Sequence, residues 1–200
     1  MSRNLVILLH GVGSNGADLA GLGAMWRKTV PHTDFATPDG PLPFGDGAGR
    51  QWFSINGVTE ANRPERVAAA RAAFDQTLSA IIAAHGLTDH LDRVVLVGFS
   101  QGSIMALDAI ASGRWPVAGI VAFSGRLASP QPLSPATGTR VLLIHGTADA
   151  VMPVAESERA AAVLQGMGVT TTLHTLVNLG HTISQEGANI AGTFLAGLFD

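Results

Sequence analysis

Residues 94–103, VVLVGFSQGS, carry an apolar, strand-like stretch straight into a serine held between two glycines. A strand that turns abruptly into a helix keeps the bend residue in a strained backbone conformation with its side chain pointing outward. The residues two away on each side then crowd together unless they lack a Cβ. Gly98-Phe99-Ser100-Gln101-Gly102 meets that requirement. In a chain with 24 glycines the same pattern also arises by chance. Context separates the two origins: a parallel sheet around the stretch, and an acid and a histidine at later strand ends.

The surrounding sequence supplies that context. Val6 to Leu9 is an unbroken apolar run ending at His10-Gly11, as a buried parallel strand does. A weaker strand lies within 32–40, and GADLAGLGAMWRKTV before it is a glycine-weakened helix. Residues 63–86 form the clearest helix, with Pro64 at an initiating position, Gly86 as its stop, and Val67, Phe74, Leu78, Ile81 and Ile82 on one face. Strands follow at 93–97, 117–125, 140–149 and 169–177, and helices at 102–113, from Pro153 to about Gln165, and from Thr182 to Leu198. Alternation of this kind requires crossover connections, which predicts a mostly parallel sheet with helices on both faces, an α/β three-layer α/β/α sandwich. Such sheets bind ligands beyond the carboxyl ends of their strands.

Composition narrows the class. Two hundred residues (20.6 kDa) with neither repeat nor linker read as one domain spanning 1–200. Charged residues make up only 14% and the net charge is -3 with the signs interspersed, which argues against nucleic acid as a partner. Cysteine is absent, which removes disulfides and a thiolate nucleophile. No H-E-x-x-H motif or tight His/Asp cluster suggests a metal site. The apolar run near the start is too short for a secretory signal or a membrane span, so a cytoplasmic protein without stable membrane insertion is expected.

A serine hydroxyl is a poor nucleophile until a base accepts its proton. Of the seven histidines, His181 in LVNLGHTI follows the last strand beside Gly180 and is the favoured base; His10 and His145 end strands and are equally read as lining the sheet edge. Asp149 in HGTADAVMP follows an apolar strand and is placed to orient that histidine, or to cap the helix behind Pro153. The chain order Ser100, Asp149, His181 is that of an α/β-hydrolase triad, which favours the first role. Oxyanion donors are expected from the backbone N–H of Gln101, after the nucleophile, and of Val12, in the Gly11-Val12-Gly13 bend. That bend lacks the Lys-Ser/Thr pair of a phosphate loop.

Taken together, LLHGVGSNG, PFG with WFSI, VVLVGFSQGSIMAL, GIVAFSGRL, VLLIHGTADAVMP and NLGHTIS resemble the small carboxylesterases and lysophospholipases of the α/β-hydrolase fold, which include the acyl-protein thioesterases. The resemblance covers nearly the whole chain. It implies an open site with no large cap domain, no cofactor, the triad and oxyanion donors named above, and a loop from Pro41 to Phe53 bordering the acyl pocket. The expected activity is hydrolysis of carboxylic esters of apolar acyl groups, with lysophospholipids or acyl thioesters as alternative substrates. The partner is then a small-molecule ester or lipid, and the protein a monomer or homodimer. Phe44, Trp52, Phe53 and Met152 are candidate acyl contacts, each equally readable as core. Three positions depart from the family pattern: the glycine-rich stretch after Pro43, Ser54 in place of an aspartate after Trp-Phe, and Ser103 in place of a second glycine after GFSQG.

Overall fold

The computed structural model describes residues 3–199. The strands are β1 (Asn4–Leu9), β2 (Thr33–Ala36), β3 (Leu42–Pro43), β4 (Arg50–Gln51), β5 (Val94–Phe99), β6 (Gly119–Phe123), β7 (Arg140–Gly146) and β8 (Thr171–Leu176). Six of them form one sheet in the order β2-β1-β5-β6-β7-β8, and every pairing within it is parallel. β3 and β4 make a separate antiparallel ribbon.

Apolar residues at every position of a strand demand cover on both faces, and alternation decides which residue meets which layer. Leu5, Ile7, Leu9, Leu96, Ile120 and Leu143 face a layer built from α2 (Arg63–Ala84), α3 (Gln101–Ala111) and α4 (Ala155–Gly166). Val6, Leu8, Val95, Val97, Val121 and Phe123 face the opposite layer, where Trp26 of α1 (Ala20–Trp26) and Leu195 of α5 (Gln185–Phe199) pack. The result is the three-layer sandwich of an α/β-hydrolase without a large cap. Among the described residues no helix is long and apolar enough to cross a membrane.

β1 has β2 on one side and β5 on the other. The chain leaves β1 toward α1 on one face and β5 toward α3 on the other, so a crevice opens between the carboxyl ends of these two strands. The elbow helix α3 is tied to α2 by Asp108, whose carboxylate accepts two bonds from Arg71 (2.9 and 2.8 Å), one from Arg114 (2.9 Å) and one from Ser129 (2.6 Å).

The stretch 38–57 is largely irregular, as its composition predicts, but it is fastened to the crevice. The imidazole of His10, fully buried, accepts the Gly40 N–H at Nε2 (2.8 Å) and bonds the Gly11 carbonyl through Nδ1 (2.7 Å). Gly13 N–H donates to the Arg50 carbonyl (2.9 Å) and Arg50 N–H to that of Ser14 (2.8 Å), zipping the ribbon to the loop after β1. The closing helix begins at Gln185 rather than Thr182, because Ser184 Oγ accepts the Gly187 N–H (3.1 Å) in the manner of an N-cap. His181 therefore sits on a loop and not at the start of the helix.

Candidate active site

Ser100 has φ 51° and ψ -113°, in the left-handed half of conformational space. A Cβ on Gly98 would lie 2.4 Å from the Ser103 nitrogen, and one on Gly102 would lie 2.0 Å from the Leu9 carbonyl oxygen. Both glycines are demanded by close backbone approach around the elbow. Ser103, the departure from a second glycine, is fully buried and donates from Oγ to the Phe123 carbonyl at 2.8 Å. Space for it comes from Gly125, where a Cβ would come within 2.6 Å of the Ser103 Cβ.

The geometry joins three residues from three strand ends. His181 Nε2 lies 3.0 Å from Ser100 Oγ, and His181 Nδ1 lies 2.7 Å from Asp149 Oδ2. The other oxygen, Oδ1, accepts the backbone N–H groups of Val151 (2.9 Å) and Met152 (2.8 Å). Burial opposes ionisation of Asp149, but the Met152 N–H, the His181 imidazole and the Val151 N–H together hold its carboxyl below the ordinary carboxylate range. An ionised Asp149 makes Nδ1 the protonated nitrogen and leaves Nε2 free to accept from Ser100.

Both loops that carry these groups are bonded to each other. Thr147 N–H donates to the Leu176 carbonyl (2.9 Å), Ala148 N–H to that of Leu179 (3.0 Å), and Asn178 N–H to Thr147 Oγ1 (3.0 Å). The Phe99 ring packs on that of His181 with centroids 4.9 Å apart. His145 bonds Ser157 Oγ through Nδ1 and the Met152 carbonyl through Nε2, each at 2.7 Å, and its Nε2 also lies 3.3 Å from Asp149 Oδ2.

Two cavities meet at Ser100 and Val12. The larger, about 450 Å³, is lined by His181, Phe99, Leu19, Val151 and Ile183 as well. The smaller, about 240 Å³, is lined also by Gln101, Phe53, Met152, Ile104 and Arg63. Phe53 and Met152 thus reach the site, whereas two other expected contacts do not line either cavity. Trp52 is only 2% exposed and belongs to the core: its Nε1 donates to the His10 carbonyl (3.0 Å), and its ring meets Phe74 edge-on. Phe44 is exposed and lies over Gly13 of the loop after β1. Sequence reasoning overlooked Ile55, Val58 and Arg63, which line the smaller cavity from just beyond the Trp-Phe pair. Ile55 and Val58 lack any period, and Arg63 beside Pro64 reads only as a helix start. Among the described residues no group of three or more His, Cys, Asp or Glu side chains is arranged to hold a metal ion.

An elbow serine bonded through histidine to a buried aspartate, at the carboxyl edge of a parallel sheet, defines a serine ester hydrolase of the α/β-hydrolase fold. The chain belongs to the Phospholipase/Carboxylesterase family, whose model matches residues 1–198. It is 35% identical to Esterase YpfH of Escherichia coli (strain K12) over 190 residues, 95% of this chain and 81% of that one. It is 28% identical to Acyl-protein thioesterase 1 of Neurospora crassa over 211 residues, covering 95% of this chain and 84% of that one. The crystal structure of esterase PE8 superposes with a TM-score of 0.90 at 38% identity, covering 98% of this chain and 93% of that one.

Proposed function

We propose that Ser100 is the nucleophile, His181 the base and Asp149 the group that orients it, in hydrolysis of carboxylic esters through an acyl-enzyme. The observation that carries this reading is the unbroken chain Asp149 Oδ2, His181 Nδ1, His181 Nε2, Ser100 Oγ, with steps of 2.7 and 3.0 Å. Ser100 Oγ attacks the carbonyl carbon as its proton passes to His181 Nε2. The backbone N–H groups of Val12 and Gln101 receive the oxyanion, since neither donates to a protein acceptor among the described residues. His181 then protonates the leaving alcohol, and its second cycle activates the water that releases the acid.

The general acid must touch the leaving oxygen, which assigns the alcohol to the cavity that holds His181 and the acyl chain to the smaller one. Apolar surface from Phe53 and Met152 there suits an acyl chain, and 240 Å³ suits a short one. Oxygen esters are the preferred substrates in this reading, ahead of thioesters and lysophospholipids. Parallel kcat/KM values on aryl esters, acyl thioesters and lysophospholipids rank the three. A fluorophosphonate labels Ser100 in the wild type, and Ser100→Ala abolishes both labelling and ester hydrolysis. Hydrolysis by the Ser100→Ala protein within tenfold of wild type would remove Ser100 from the mechanism.

A further inference from the structure

The smaller cavity contains one charged lining residue, Arg63, among apolar side chains and the polar groups of Ser100 and Gln101. Its side chain is only 18% exposed. Among the described residues its single ion-pair partner is Glu60, at 2.7 Å, and that carboxylate is not its own. The same oxygen, Glu60 Oε1, accepts from Arg126 Nη1, also at 2.7 Å. Hydrogen bonds from Arg63 and Arg126 hold the Glu60 carboxyl down to about 2, so it stays ionised and serves both cations at neutral pH. Arg126 has a second carboxylate, Glu156, at 3.7 Å, but Glu156 is shared with Arg159. Three guanidiniums therefore lean on two carboxylates, and of the three it is Arg63 that lines the smaller cavity.

The place of Arg63 in the chain strengthens the point. It opens α2, where the helix dipole is positive and a cation is disfavoured. Arginine offers five N–H donors in a planar fork that matches a carboxylate, and no second protein acceptor among the described residues takes those of Arg63.

We propose that Arg63 binds an anionic group at the far end of the acyl chain, so that the preferred substrates are half-esters of short dicarboxylic acids. The chain lies along Phe53 and Met152 with its carbonyl at Ser100 and its free carboxylate on the Arg63 guanidinium. Water adds across the acyl–oxygen bond, giving the alcohol and the dicarboxylate. This rests on the assignment of the smaller cavity to the acyl group.

The test compares monoethyl glutarate with ethyl 5-oxohexanoate, whose methyl ketone replaces the carboxylate at equal chain length, by proton release at constant pH. The wild type is expected to prefer the half-ester by tenfold or more in kcat/KM, with a preference that shrinks as ionic strength rises. Arg63→Gln should lower the half-ester to ketone-ester ratio at least tenfold, with Arg63→Lys intermediate. Glu60→Gln, an exposed substitution, should raise the ratio by freeing the guanidinium. A ratio near one in the wild type, or one unmoved by Arg63→Gln while Ser100-dependent hydrolysis persists, would overturn the assignment of Arg63 alone. Absence of Ser100-dependent hydrolysis of either ester would overturn the reading beneath it as well.

Discussion

Trp52 and Gln101 are joined by a 2.7 Å hydrogen bond from the Trp52 backbone N–H to Oε1 of the Gln101 side chain. The same amide donates from Nε2 to the Phe53 carbonyl at 2.8 Å. The residue after the elbow serine thus anchors the loop that carries Phe53, in addition to the oxyanion role proposed for its N–H. Gln101→Ala keeps the backbone N–H but strands a buried Trp52 N–H, at a cost of about 1–3 kcal/mol. KM for short-chain esters should rise as Phe53 loses its anchor, with kcat less affected. Denaturant melts and steady-state kinetics check this together; an unchanged melt with an unchanged KM would show that the loop holds itself.

Asp149→Asn should preserve the turn at Val151 and Met152, since an amide oxygen still accepts their N–H groups. Its amide nitrogen, however, cannot accept from His181 Nδ1–H, and the tautomer that Ser100 needs is lost. The expected fall in kcat is on the order of 10⁴-fold, the magnitude found for the equivalent change in a serine protease. A variant within tenfold of wild type would reduce Asp149 to a turn residue.

Trp52 and Phe53 are neighbours with opposite expected phenotypes. Trp52→Ala removes a core ring and should cost about 3–5 kcal/mol of stability, with similar relative losses of kcat/KM across acetate, butyrate and hexanoate esters. Phe53→Ala should instead discriminate by chain length, because its side chain borders the smaller cavity, the one proposed for the acyl chain. The two melts and the two chain-length series are read side by side. Chain-length dependence in the Trp52 variant alone would reverse the assignment.

Asp108 gives the pH dependence of stability. Burial works against its charge, yet Arg71, Ser129 and Arg114 hold its carboxyl below the ordinary value. A depressed native value means that the contribution is complete above the unfolded value of roughly 3.9 and disappears as pH falls through the native one. Asp108→Asn should cost about 1.5–3 kcal/mol near neutrality, because Arg71 loses its carboxylate while Arg114 keeps Asp75 (2.9 and 3.0 Å). It should also flatten the loss of stability below about pH 4. Urea midpoints from pH 7 to pH 3 measure both, and parallel curves for the two proteins would count against the pair.

Much of the fold was written in local pattern. Unbroken apolar runs of strand length, separated by helical stretches with proline starts and glycine stops, require a parallel sheet covered on both faces, because crossovers leave no other way to bury them. The elbow was equally legible, since Gly98 and Gly102 answer a steric demand that lies within five residues. Chain order then singled out Asp149 and His181, whose loops follow strands and so arrive at the same sheet edge. What the sequence did not carry was direction within the aperiodic stretch 38–57. Two adjacent aromatics, Trp52 and Phe53, go to the core and to the cavity according to how the Gln101 amide and the His10 carbonyl grip their backbone and indole. Arg63 became visible only when the start of α2, Glu60 and the loop after β6 converged on one side of Ser100. Periodicity reports which face of an element is buried; a site made by residues far apart in the chain has no period to read, and only the tertiary structure brings it together.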